Sequence, residues 1–432
     1  MNEHVKRSGL SPSAQLEKAD ADPSNRSENA TLGDIIARRY SRRDILKGSL
    51  AATAIAATVS PLALLAAGKA RAQGATTFEF KEIVAGVDEG HHVAEGYNAD
   101  ILIRWGDPLF PDSPEFDPAN QTADAQAKQF GYNNDFLGLI PAPGAADDPN
   151  RMLLVANHEY TSEELMFPGL GAQDAEDVGF KDMTAELVAI EMMAHGGSVV
   201  EIARGANGKW TVVKDSPLNR RITAETEMEL TGPAAGNDAL KTSADATGTK
   251  VLGMLNNCAG GVTPWGTWLS AEENFHGYFI GETAGEDQGE ETAAPENVAY
   301  ERYGIPGGSY AWGRFHDRFD VTKEPNEPNR FGWIVEIDPA DASSTPKKRT
   351  ALGRVKHEGA AGVVNKDGRY VLYSGDDERF DYAYKFVTAG TVNAEDRAAN
   401  MDLLDEGTLY VARFNEDGTG AWLPMTHGEG AL

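Results

Sequence analysis

A single cysteine, Cys258, stands in 432 residues. That excludes a disulfide within the chain and leaves the redox compartment unspecified. Basic residues are also in short supply: 39 Lys and Arg face 67 Asp and Glu, for a formal charge of −28. The first 72 residues hold 11 basic and 7 acidic side chains, a surplus of +4, so the other 360 carry −32. So acidic a body repels nucleic acid and anionic lipid, which argues against nucleic-acid binding. Helical periodicity is scarce. The G-x-S-x-G nucleophile turn, the Walker loop and G-x-G-x-x-G after a strand are missing, as are the His₃, Cys₄ and His-Glu-x-x-His patterns of zinc sites. No dedicated Ser or Thr nucleophile stands out, so catalytic residues stay unassigned and hydrolytic chemistry would have to come from bound metal.

What is present begins with an address. Residues 41 to 47 read "SRRDILK", the twin-arginine export pattern. A weakly apolar run, "GSLAATAIAATVSPLALLAAG", follows and is broken by Ser, Thr and Pro61. It ends at "ARAQ", where Ala70 and Ala72 suit a peptidase that reads small residues. The alternative is a membrane anchor, but the A-x-A site directly after the run favours cleavage behind Ala72. Residues 1–72 are expected to be a signal peptide handled by the twin-arginine machinery. The mature protein, residues 73–432, is then periplasmic or secreted and keeps no stable membrane anchor. That route moves folded proteins, often with a cofactor installed, and so favours a prosthetic group in the body.

The body reads as β-rich. Hairpins are expected at 196–213, 361–377 and 407–425, with strands at 151–160, 331–339 and 382–387. One helix is expected over 182–197, stopped by glycine. Residues 106–129 and the acidic 281–297 read as long loops. Repeated hairpins with Gly and Asp turns point to an all-β fold, a propeller, barrel or sandwich. The loose spacing favours a β-propeller with long inserted loops, whose inner strands would bring distant side chains to one channel.

Acids then gather beside Gly, His and Cys. "NHEY" offers Glu159 next to His158; "NNCAGG" followed by "SAEEN" offers Cys258, Glu272 and Glu273. In a regular strand neighbours face opposite sides, so one of the two glutamates at most points into a given site. Gly260 and Gly261 allow the backbone to come close to its surroundings. "KHEGAAG" offers Glu358 beside His357, "YSGDDER" offers Asp376, Asp377 and Arg379, and Glu336 lies inside the apolar "WIVEIDP". Each has a plainer reading: a solvated strand end for the acids, a small buried hydrophobe for Cys258. Hard cations such as Ca²⁺ take six to eight oxygen ligands, while a thiolate suits iron or zinc. Several carboxylates with one thiolate fit iron together with calcium better than zinc alone.

Taken in order, "NHEY", "NNCAGGVTPWGTWLSAEENFHGYF", "FGWIVEIDP", "RTALGRVKHEGAAG", "YVLYSGDDERFDYAYKFV" and "GTLYVARF" behind a twin-arginine leader resemble the PhoX alkaline phosphatases. The resemblance implies a β-propeller phosphatase acting on phosphomonoesters, with Fe³⁺ and Ca²⁺ as cofactors. It maps an iron-ligating cysteine onto Cys258, a ligand glutamate onto Glu358 and ligand aspartates onto Asp376 and Asp377. Glu159, Glu272, Glu273 and Glu336 complete the candidate metal set. Family members carry a later Met-Asp-Arg-Pro-Glu stretch that is not found here, so the chain reads as a C-terminally truncated fragment or a shortened homologue, with the propeller incomplete. Two other readings share the fold: a non-catalytic, calcium-stabilised propeller that binds a partner, and another propeller hydrolase such as a lactonase, which needs no thiol.

Overall fold

The computed structural model describes residues 81–428, apart from 85, 87–89, 146–147, 174–178 and 282–294. The expected leader, its cleavage site and most of the acidic 281–297 segment lie outside the described residues. The chain forms two compact units; among the described residues the first takes 102–413 and 422–428, the second 81–101 and 414–421. In the second unit the turn at 414–421 is closed by the Asn415 N–H donating to the Thr419 carbonyl at 2.8 Å.

The first unit is mostly β-sheet with few helices. Its first sheet holds β1 (Asn134–Pro141), β2 (Arg151–His158), β3 (Gly196–Arg204), β4 (Trp210–Val212) and β5 (Arg220–Ile222), in the order β1-β2-β3-β4 with β5 also beside β3. The second holds β6 (Glu227–Thr231), β7 (Lys250–Leu252), β8 (Asn257–Val262), β9 (Trp268–Glu272), β10 (Ile334–Ile337) and β11 (Lys347–Arg349), in the order β7-β6-β11-β10-β9-β8. The third runs β12 (His357–Val364), β13 (Arg369–Asp376), β14 (Ala383–Thr391), β15 (Gly407–Phe414) and β16 (Gly420–Pro424) in sequence order. The described α-helices are α1 (Ala123–Gln126), α2 (Glu163–Met166), α3 (Ala185–Ala194) and α4 (Pro295–Tyr303). The expected hairpins and the helix within 182–197 fall on these elements.

Alternation explains the stacking. In β9 and β10 every residue is buried, as expected of strands covered on both faces. Trp268 and Val335 pack with Val155 and Val199 of the first sheet. Their neighbours Leu269 and Ile334 pack with Tyr370, Leu372 and Phe386 of the third. The second sheet is therefore sandwiched between the other two, and an acid placed in it has to find a partner in the interior.

The strands β1, β8 and β12 each end their sheet, and β8 runs beside both of the others. Two glycines permit this. A Cβ on Gly260 would lie 2.3 Å from the Leu269 carbonyl oxygen and 3.1 Å from the Phe136 ring of β1. One on Gly261 would lie 2.0 Å from the Ala360 carbonyl oxygen of β12.

Candidate metal centre

All three of these strands are irregular at the same level. Register shifts fall between Asn134 and Leu137 in β1, between Asn257 and Gly260 in β8, and between Glu358 and Ala361 in β12. Bulges of this kind re-aim side chains. Here they turn Asp135, Cys258 and Glu358 toward one another. The Cys258 thiol lies 3.6 Å from Asp135 Oδ2 and 4.0 Å from Glu358 Oε1. One ligand atom each of Asp135, Glu159 and Cys258 falls within 4.8 Å of the other two. Glu273 and Asp377 close the group: Asp377 bears directly on both Glu273 and Glu358. The floor is buried, with Cys258 and Glu273 at 7 % and 4 % exposure. Asp135, Glu358 and Asp377 are exposed and Glu159 is half-buried, so the group opens to solvent.

Two asparagines in left-handed backbone help to place the acids, a conformation asparagine tolerates better than most residues. Asn133 (φ +47°) accepts the Glu159 N–H at its carbonyl (3.1 Å) and donates from Nδ2 to Glu159 Oε2 (3.4 Å). Asn256 (φ +45°) accepts the Glu273 N–H at its carbonyl and the Asn274 N–H at its side chain, both at 2.9 Å. Asn274 Nδ2 then donates to Glu273 Oε1 at 2.8 Å. Beneath them Asn157 donates to the carbonyls of Cys258 and Ala259 and accepts from Ser270 Oγ at 2.8 Å, which ties β2 to β8.

The charges are out of balance. Burial, then repulsion from Asp135, Glu358 and Asp377, raises the Glu159 carboxyl to about 7 against the help of the Asn133 amide. Burial and then Asp377 push Glu273 up, with Glu159 and Glu358 adding to the effect. Glu358 is raised by burial, Asp377 and Asp135. Burial and the four carboxylates of Glu273, Glu159, Asp135 and Glu358 push the Cys258 thiol up, too. Five carboxyl groups and a thiol thus converge, and on Glu159, Cys258, Glu273 and Glu358 the leading influences are burial and neighbouring members of the group. Positive charge is what such a set calls for. The oxygens are the hard donors that Ca²⁺ takes in number, and the thiolate is the softer donor that iron accepts, so the residues fit a mixed iron and calcium group.

The other predicted residues lie elsewhere, each opposite a cation. Glu272 is fully buried, 2.8 Å from Lys348 Nζ, and accepts backbone N–H groups from Leu255, Gly332 and Trp333. Glu336 pairs with Arg349 at 2.7 Å and accepts from Trp265 Nε1 and Thr267 Oγ1. Asp376 faces Arg302 at 2.8 Å; burial raises it to about 6 even so. The histidines flanking the acids are buried and hold backbone: His158 Nε2 accepts from the Gly131 N–H, and His357 Nε2 lies 2.9 Å from the Gly353 carbonyl. Asp135 was not among the predicted residues. It stands at a strand entrance after a polar pair, in "NNDF".

The family model for alkaline phosphatase PhoX matches residues 78–431. Among solved structures, the chain is similar to PhoX of Pseudomonas fluorescens in complex with vanadate, a transition state analogue, with 44% sequence identity and a TM-score of 0.73. That match covers 82% of this chain and 59% of the other, so the chain spans less than two thirds of that protein's length. A search of curated proteins found no match.

Proposed function

The chain belongs to the PhoX family of alkaline phosphatases, and we propose that it hydrolyses phosphomonoesters at a centre of Fe³⁺ and Ca²⁺. One observation carries this reading: five carboxyl groups and the Cys258 thiol, from β1, β8, β12 and the ends of β2, β9 and β13, meet at an open site with repulsion among them. Asp135, Glu159, Cys258, Glu273, Glu358 and Asp377 would hold the ions. Bound there, the ions supply the positive charge that attracts a phosphoryl group and stabilises charge developing on it. Cys258 and Glu273 form the buried floor, where water is excluded and a charge acts most strongly. Exposed Asp135, Glu358 and Asp377 form the rim through which a small phosphate ester enters.

The fold supports a propeller, with three sheets as blades and β1, β8 and β12 as inner strands. The leader supports twin-arginine export to the periplasm or beyond, the compartment in which a small phosphomonoester would be met. No helix among the described residues is long and apolar enough to cross a membrane.

Elemental analysis of purified, folded protein is expected to find iron and calcium together. The same protein is expected to release phosphate from an aryl phosphate at alkaline pH and to be inhibited by vanadate, the analogue seen in the Pseudomonas protein. Cys258→Ala is expected to lose iron along with turnover. Folded protein with neither metal, or loaded protein that releases no phosphate, would overturn the assignment.

A further inference from the structure

Asp377 stands on the turn between β13 and β14, and two cations grip that turn from outside the acid group. Arg302, next to last in α4, brings Nη2 to 2.8 Å from Asp376 Oδ2 and pairs with Asp381 as well. Lys356, just before β12, brings Nζ to 2.6 Å from Glu378 Oε2. The Lys356 carbonyl also accepts the Asp377 N–H at 3.0 Å. Within the turn the Glu378 N–H donates to Asp376 Oδ1 at 3.1 Å, and the Asp381 N–H to the Glu378 carbonyl at 3.0 Å. The side chains of Asp376, Asp381 and Glu378 are only 0, 6 and 12 % exposed. The acids of these pairs are therefore largely shielded from solvent, although the Arg302 side chain is 34 % exposed, and losing the cation strands a buried charge.

The residues on either side of Asp377 are thus anchored, one to a helix outside the sheets and one to the residue that leads into the strand carrying Glu358. Asp377 itself is left to face Glu273 and Glu358. Without the anchors, repulsion would drive the turn away from the group. We propose that Arg302 and Lys356 are positioning residues of the metal centre: they hold Asp377 against the other carboxylates so that its oxygens are in place before the cation arrives. This rests on reading the six-residue group as a metal centre.

The test uses metal-free full-length protein titrated calorimetrically with calcium alone, with melting in chelator as the measure of fold. Arg302→Gln and Lys356→Gln are each expected to weaken calcium binding roughly tenfold or more, the usual cost of losing an outer partner of a ligand, and Asp377→Asn, which removes a ligand carboxylate, at least as much. Arg302→Lys, which keeps a charge between the two aspartates, should restore most of the affinity. Arg302→Gln combined with Asp377→Asn should bind about as well as Asp377→Asn alone, because the arginine acts through that residue. Should Arg302→Gln fail to fold, the triple change Arg302→Gln, Asp376→Asn, Asp381→Asn leaves no stranded charge and is expected to show the same loss. A folded Arg302→Gln protein with wild-type calcium affinity, or losses that simply add in the double variant, would overturn the proposal. Wild-type protein that binds no calcium and no iron would overturn the metal centre itself, and this inference with it.

Discussion

Glu272 and Glu273 are adjacent and chemically identical, yet their surroundings are opposite. Glu272 lies at the end of β9 with Lys348 and three backbone donors around it; Glu273, one residue on, faces carboxylates. Glutamine substitution should separate them. Glu272→Gln strands the buried Lys348 ammonium and is expected to cost about 3–5 kcal/mol of stability while leaving the metal content unchanged. Glu273→Gln removes a repelled carboxyl, so metal-free protein should be at least as stable as wild type while the metal content falls. Urea unfolding in chelator and elemental analysis read the two effects, and the reverse pattern would exchange the roles. The sequence could say that one of the pair at most enters a site, but not which. Glu272 and Glu273 share one strand end in "SAEEN" and Glu336 lies inside the apolar "WIVEIDP", and residue type alone does not separate them. What sets them apart is Lys348, 76 residues from Glu272, and Arg349, 13 residues from Glu336, and no local pattern shows such pairings. Asp135 stands in "NNDF" with no Gly, His or Cys beside it, and its local sequence is that of many solvated strand ends.

The hairpins were legible because period-two alternation and Gly or Asp turns act over a few residues. The bulges were not, since a register shift is a relation between two strands. Gly359 marks the one in β12. Its φ of +87° is open to glycine and costly for other residues, and a Cβ there would meet nothing within 4 Å. Gly359→Ala therefore tests backbone conformation without a steric clash. It is expected to lower stability by about 1–2 kcal/mol, the penalty of left-handed backbone for an L side chain, and to weaken metal binding because Glu358 precedes it directly. Gly261→Ala would instead collide with the Ala360 carbonyl and part β8 from β12. If Gly359→Ala leaves both denaturant midpoint and metal affinity untouched, the bulge does not set the direction of Glu358.

Summed over the chain, the charge of −28 admits two explanations that make different demands on solvent. A merely acidic surface repels itself diffusely, and any salt screens it, over a Debye length of about 10 Å at 0.1 M. The six converging groups are different. They join the edge strands of three sheets, and their repulsion acts at contact distance, where screening is weak. Ions held there would fasten the first, second and third sheets together, and ions that bind only the folded state stabilise it by mass action. With free calcium about 100-fold above its dissociation constant the gain is about 2.7 kcal/mol. Chelation is therefore expected to lower the melting temperature, and millimolar calcium to restore it where sodium chloride of the same ionic strength does not. Equal recovery in the two salts would assign the acidity to the surface at large. A melting temperature indifferent to chelator would leave the sheets joined by their apolar cores alone, with Trp268 and Val335 facing one way and Leu269 and Ile334 the other.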